Sequence, residues 1–203
     1  MKETKIFIVF ILFILNPIFN FSYAENLRIH FIDVKEGDAI LIETTEGKTI
    51  LIDAGNCISG FRVVEYLKKN KIYTLDHLIF THPDFDHLCG AFFVLQMLKV
   101  EKVYDNGQDL NELIKYSDIY RWYEELVRKD KNYKMLKAGD ILFAGDVALK
   151  IIWPPLPLLF SDNNNNSLVI MLEYGKFHCL LTGDLTALGE RKILEEKIEI
   201  EDD

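Results

Sequence analysis

A chain of 203 residues with 49% apolar and 27% charged positions has the composition of one globular domain able to bury a substantial core. Its net charge of -9, with no long basic block, argues against a nucleic-acid-binding module, because an acidic domain repels a polyanion at long range. Three cysteines, Cys57, Cys89 and Cys179, are too few and too scattered for a disulfide scaffold or a cysteine-rich zinc site.

The first 24 residues differ from the rest. Lys2 and Lys5 precede an apolar run over 6–14, and Ser22-Tyr23-Ala24 puts small residues at the two positions a signal peptidase reads, so 1–24 is expected to be a cleavable secretion signal. Asn16-Pro17 interrupts the run short of the ~20 residues a spanning helix needs, which makes an uncleaved membrane anchor the lesser alternative. Residues 27–34 and 39–44 then read as strands joined by a turn at Gly37, and Glu46-Gly47 turns the chain into a third strand, 49–53. Phe61, Val64 and Leu67 recur at helical spacing within 61–69, and an apolar run at 75–80 follows, so strand, helix and strand form a parallel crossover. Helices are expected over 87–98 and 110–129, with a short strand at 100–104 between them. Tyr116, Tyr120, Trp122 and Tyr123, spaced by three and four, read as a core face of the longer helix in preference to a base-stacking platform. A strand pair, 141–143 with 147–153, precedes a loop forced by Pro154, Pro155 and Pro157; a hairpin, 167–174 with 177–182, turns at Gly175. A final helix is expected over 187–197, and the acidic end, 195–203, reads as solvated.

The chemistry concentrates in Thr81-His82-Pro83-Asp84-Phe85-Asp86-His87, directly after an apolar run. Two His and two Asp within six positions cannot all be buried as core, because unpaired buried charge is costly. Imidazole nitrogen and carboxylate oxygen are ligands of Zn²⁺, Mn²⁺ or Fe²⁺, and a turn at a strand end can gather them around one or two ions. Three more polar points lie at expected strand ends: Asp53, the Asn163–Asn166 run before Ser167, and Asp184. Asp53 is either a turn former ahead of Gly55 or a residue that orients the ligand turn by hydrogen bonds. Asp184 is either a ligand or the N-cap of the last helix. His30, His77 and His178 read as surface or core histidines.

Taken in order, His30 to Val34 with Gly37-Asp38-Ala39, Leu51 to Gly55, Thr81 to His87, Asp105 to Gln108, Asn164 to Leu168 and Leu181 to Asp184 resemble the metallo-β-lactamase fold superfamily. Within it they resemble in particular the hydrolase domain of the ComEC/Rec2 competence proteins. The resemblance implies an α/β fold, an αββα sandwich over residues 25–203. It also implies a metal site in which His82 and Asp84 hold one ion, Asp86 and His87 a second, and Asp184 bridges them. Asp86, His82 and His87 would carry catalysis, with Asp53, Asn166 and Ser167 behind the ligands. Asp84 stands where the usual His-x-His-x-Asp-His turn has its second His, and the Asn run stands where many relatives place a separate His. An oxygen-rich site favours Mn²⁺ beside Zn²⁺, with one or two ions per chain.

The family's later His-His-Gly-Ser motif and a further His have no counterpart, so the domain is expected to lack its last strands and ligands, leaving a sheet edge open to self-association. The implied function is a secreted hydrolase that attacks a phosphodiester, in DNA or a nucleotide, with a metal-activated water. A non-catalytic remnant of the fold, and a lactonase or β-lactamase type of carbonyl hydrolase, are the alternatives. Cys57 and Cys89 stand where relatives usually have Gly; two independent small buried side chains are the default, and a bridge between them is the alternative.

Overall fold

Runs such as Ile40-Leu41-Ile42 and Ile50-Leu51-Ile52 are apolar at every position, which suits a strand covered on both faces. A computed structural model describes residues 26–196 and bears this out. The strands are β1 (Arg28–Phe31), β2 (Ile40–Glu43), β3 (Thr49–Ile52), β4 (Thr74–Leu75), β5 (His77–Ile79), β6 (Lys99–Val100), β7 (Val103–Asp105), β8 (Tyr133–Met135), β9 (Ile141–Ala144), β10 (Val147–Trp153), β11 (Val169–Tyr174) and β12 (Phe177–Leu181). The helices are α1 (Cys57–Lys69), α2 (Phe85–Leu88), α3 (Ala91–Met97), α4 (Asp118–Trp122) and α5 (Ala187–Glu195).

A six-stranded mixed sheet, β1-β2-β3-β5-β7-β8, faces a four-stranded antiparallel sheet, β12-β11-β10-β9. The period-2 alternation of strands sorts the side chains into layers. Ile40, Ile42, Ile50, Ile52 and Ile79 meet Val147, Leu149, Ile151, Ile170 and Leu172 between the sheets. Leu41, Leu51 and Leu78 point the other way and pack on Val63, Val64 and Leu67 of α1 and Val94 of α3. On the far side, Val169 and Met171 meet Trp153 and Ile193 of α5. Helix, sheet, sheet, helix is thus the layer order, the expected αββα sandwich.

Several elements depart from expectation for local reasons. The apolar run 75–80 is split at Asp76, whose carboxylate accepts from the Thr49 amide at 2.9 Å and from Lys48 Nζ at 2.8 Å, so β4 pairs with β6 in a separate two-stranded sheet. Helix α1 starts at Cys57, one turn before residue 61, because the Asn56 side chain accepts from the amides of Ile58 and Ser59, both at 2.9 Å. The helix expected over 87–98 is two helices that break at Gly90. The long helix over 110–129 is instead a 3₁₀ turn (Leu113–Lys115), α4 capped by Ser117, and a π-turn (Tyr123–Val127). That π-turn lets the Tyr123 hydroxyl and Arg128 Nε both reach Asp105, at 3.0 and 2.9 Å. Tyr120 and Tyr123 are core, as their spacing predicts, and Trp122 packs edge-on against Phe92, whereas Tyr116 is exposed. Strand β8 was not expected at all. The stretch 1–24 and the acidic end beyond Glu196 lie outside the described residues, and among the described residues no helix is long and apolar enough to cross a membrane.

Two features lock the back of the Thr81–His87 turn. Cys57, at the start of α1, and Cys89, just after α2, are disulfide-bonded with Cα atoms 4.8 Å apart, which corrects the expectation of two independent thiols; Cys179 is free. Gly90 lies so close to the strand β3 exit that a Cβ there would come within 1.9 Å of the Ala54 carbonyl oxygen. Gly90→Ala should therefore destabilise the fold by about 2 kcal/mol, lowering the melting temperature by roughly 4–8 °C in a thermal scan. An unchanged melting temperature would contradict this packing. Proteolysis without reductant should yield a Cys57–Cys89 linked peptide that separates on reduction, and its absence would contradict the bridge.

Candidate metal centre

Parallel strands end together at one edge of a sheet, so loops far apart in sequence meet there. The exits of β3 and β5 deliver Asp53 and the Thr81–His87 turn to one such edge; the second sheet brings Ser167, just before β11, and Asp184, just after β12. The Leu168 amide donates to the Thr81 carbonyl at 2.8 Å and ties the two sheets together at this point. In the β1–β2 connection, Gly37 (φ +77°) lies against the turn so closely that a Cβ would fall 1.8 Å from the Asp86 carbonyl oxygen.

Asp53 organises the site. Its side chain is fully buried, its backbone is left-handed (φ 56°), and its carboxylate accepts from the Thr81 amide at 2.8 Å, the Thr81 hydroxyl at 2.7 Å and His87 Nδ1 at 2.9 Å. A carboxylate oxygen accepts, so His87 carries its proton on Nδ1 and its neutral form turns the Nε2 lone pair inward. The single proton of the Thr81 hydroxyl goes to Asp53. The same oxygen therefore accepts from His82 Nδ1 at 3.0 Å, with Ser167 Oγ at 3.3 Å from that nitrogen, and His82 also presents a bare Nε2. One buried carboxylate thus sets the tautomer of both imidazoles, whose ring centroids are 4.2 Å apart.

Both Nε2 atoms are buried without a hydrogen-bond partner. Each instead faces a carboxylate: His87 Nε2 is 3.4 Å from Asp184 Oδ1 and 4.0 Å from Asp86 Oδ2, and His82 Nε2 is 3.5 Å from Asp84 Oδ2. These separations are long for hydrogen bonds. They suit two ligands on one ion, since bonds of ~2.0–2.1 Å at tetrahedral angles hold neighbouring ligand atoms about 3.3 Å apart. His82, His87 and Asp184 offer donor atoms within 4.8 Å of one another, and so do Asp38, Asp53 and His87. Orphaned imidazoles facing carboxylates fit a divalent metal ion.

The structure gathers His82, Asp84, Asp86, His87 and Asp184 at one edge. Asp184 is not the cap of α5; the Thr186 hydroxyl takes that place, accepting from the Leu188 amide at 3.2 Å. Ser167 lies beside His82, its Oγ 3.3 Å from Nδ1. Asn166 is buried nearby, but its side chain serves the 160–162 loop, with Nδ2 donating to the carbonyls of Phe160 at 2.7 Å and Asp162 at 2.9 Å. It is Asn163 whose amide reaches Asp84, and Asn163 in turn accepts from Gln108 Nε2. Sequence reasoning also passed over Asp38, whose carboxyl burial pushes up, with the charge of Asp53 acting in the same direction. Its signal was its place in the Gly37-Asp38-Ala39 stretch that carries the resemblance, which gave it no role. His30 is bound to Tyr66 at 2.9 Å, His77 is packed on Tyr104, and His178 is exposed on β12.

Burial alone pushes the His87 imidazole down, but the hydrogen bond to Asp53 and the charges of Asp53, Asp184 and Asp86 outweigh it and raise it to about 9. Beside His82, the Asp84 carboxyl is held below its usual range; burial opposes this and the Asn163 amide adds to it. With no metal bound, a histidine raised from 6.5 in the unfolded chain to about 9 in the folded one contributes stability that is complete below pH 6.5 and is lost as pH climbs through 9. Denaturant unfolding in chelator at pH 6, 7.5 and 9 should show that decline, and Asp53→Asn should flatten it. A decline of the same size in the variant would contradict the role given to Asp53.

Residues 32–198 match the family described as the Metallo-beta-lactamase superfamily. ComE operon protein 3 of Bacillus subtilis (strain 168) is 28% identical over 184 residues, 82% of this chain and 23% of that protein. Recombination protein 2 of Haemophilus influenzae is 30% identical over 170 residues, 81% of this chain and 19% of that protein. The chain therefore spans less than a quarter of the length of either relative. Among solved structures, a metallo-beta-lactamase of Cronobacter sakazakii with a HARLDQ motif aligns at a TM-score of 0.57 with 15% identity, over 78% of this chain and 61% of that one. One from Staphylococcus aureus subsp. aureus COL aligns at 0.55 with 14% identity, over 89% and 54%. At such identities the likeness shows the fold alone. Fold, site and family match agree: the chain belongs to the metallo-beta-lactamase superfamily.

Proposed function

We propose that this chain is a divalent-metal-dependent hydrolase of phosphodiester bonds, in DNA or in a nucleotide. The observation that carries the reading is the pair of buried, unpartnered Nε2 atoms of His82 and His87, each facing a carboxylate. His82, Asp84, Asp86, His87 and Asp184 are the residues that would hold one or two ions, with His82 paired to Asp84 and His87 facing Asp86 and Asp184. A bound Zn²⁺ or Mn²⁺ would supply Lewis acidity, lowering the pKa of water and drawing charge from a phosphoryl oxygen.

The chain's own residues do the rest. Asp53 and Thr81 keep the proton on Nδ1 of each imidazole, so both Nε2 lone pairs stay directed inward. Asp86, partly exposed at the mouth of the site, orients the attacking water and takes its proton. An oxygen-rich donor set suits the ions that serve phosphoryl transfer, Mn²⁺ above all, while the two imidazoles keep Zn²⁺ eligible. The name of one relative, Recombination protein 2, points to DNA, and a chain of charge -9 must hold any polyanion through its metal ions and local contacts.

Export through residues 1–24 is part of the same reading, supported by the Cys57–Cys89 bridge, which belongs to an oxidising compartment. Strand β12, the last in its sheet among the described residues, carries exposed Phe177 and Leu180, which supports self-association along that edge. Asp86→Ala should lower turnover of bis(p-nitrophenyl) phosphate with Mn²⁺ or Zn²⁺ by about 100-fold or more while leaving the melting temperature unchanged. Equal turnover in the variant and the parent would refute this assignment.

A further inference from the structure

We infer that Gln108 and Asn163 are positioning residues that select which oxygen of Asp84 meets a bound metal ion. The inference rests on the metal reading above and goes beyond the ligands themselves.

Asp84 needs such a device. It stands at the N-cap position of α2, yet its side chain caps no helix amide, and it is about one-third exposed. A short carboxylate at the lip of a site has free rotamers unless something else holds it, and ordering it on metal binding costs affinity. Asn163 supplies the hold: its Nδ2 donates to Asp84 Oδ1, which leaves Oδ2 turned toward His82 Nε2 at 3.5 Å.

The direction of the chain is forced. A carboxylate only accepts, so Asn163 must present its NH₂ to Asp84 and its oxygen to Gln108, and Gln108 must present its own NH₂ to that oxygen. Gln108 is fixed at its backbone. Its carbonyl accepts from Arg128 Nη1 at 2.8 Å, and its amide donates to Asn106 Oδ1 at 3.0 Å. Asn106 Nδ2 in turn donates to the Asn166 carbonyl at 2.8 Å, which joins the exit of β7 to the 3₁₀ turn (Asn164–Asn166) before β11. The last free member of this chain is Asp84, so the order of the two sheets is passed to one carboxylate oxygen.

Polarity gives the inference a sharp test. Gln108→Glu keeps the size of the side chain but replaces the donor by an acceptor, so the Asn163 NH₂ turns to Glu and an oxygen faces Asp84. Zn²⁺ affinity of the full chain, by competition with a chromogenic chelator, should fall about 10- to 100-fold in both Asn163→Ala and Gln108→Glu. In an Asp84→Ala background Asn163→Ala should cost nothing further, since the residue acts only through Asp84. Wild-type affinity in both variants, or the same loss from Asn163→Ala with and without Asp84, would overturn the positioning role while leaving the metal site standing. A parent chain that binds no Zn²⁺ or Mn²⁺ would overturn the metal reading, and this inference with it.

Discussion

The buried carboxylate of Asp53 is the interaction on which the rest of the site depends. It accepts from three donors, two on Thr81 and one on His87, where no water can replace them. Leaving even one such donor unsatisfied costs on the order of 1–3 kcal/mol. The geometry requires the left-handed backbone of residue 53, which aspartate tolerates better than most residues with a Cβ. One group thereby serves the fold and the chemistry together. It pins the Thr81–His87 turn to the exit of β3, and it keeps a proton on Nδ1 of both imidazoles, so that their neutral forms turn Nε2 inward.

Around that anchor the turn is held rigidly behind and left open in front. Behind it, Gly37 and Gly90 allow backbone to approach within distances that any side chain would forbid, and the Cys57–Cys89 bridge fastens the start of α1 to the residue after α2. In front, Asp86 and Asp184 have side chains 39% and 41% exposed, so a substrate can reach the carboxylates while the histidines stay dry. Dry imidazoles beside wet carboxylates are what an ion-holding site with solvent access requires.

Much of this was legible in the sequence because it follows from period and composition. Runs such as Ile50-Leu51-Ile52 and Ile170-Met171-Leu172 announce strands covered on both faces, and two His and two Asp beside an apolar run announce a polar turn at a strand exit. What escaped depends on contacts across the chain. Asp76 breaks an apolar run because Thr49 and Lys48 claim its carboxylate. The helix over 110–129 breaks ahead of the Ser117 cap and ends in a π-turn where Tyr123 and Arg128 reach Asp105, and β8 is held by its pairing with Val103, Tyr104 and Asp105. Asn166 was expected behind the ligands and Asn163 was not singled out, since four consecutive asparagines carry no mark of which one faces Asp84.

The claim at the centre is that His82 and His87, with their neighbouring carboxylates, hold divalent metal. Elemental mass spectrometry of the purified chain beside His87→Ala tests it most directly. The account predicts one or two equivalents of transition metal per parent chain and a loss of at least one in the variant. A folded parent chain free of metal after exposure to Zn²⁺ and Mn²⁺, or a variant that keeps the full complement, would contradict it.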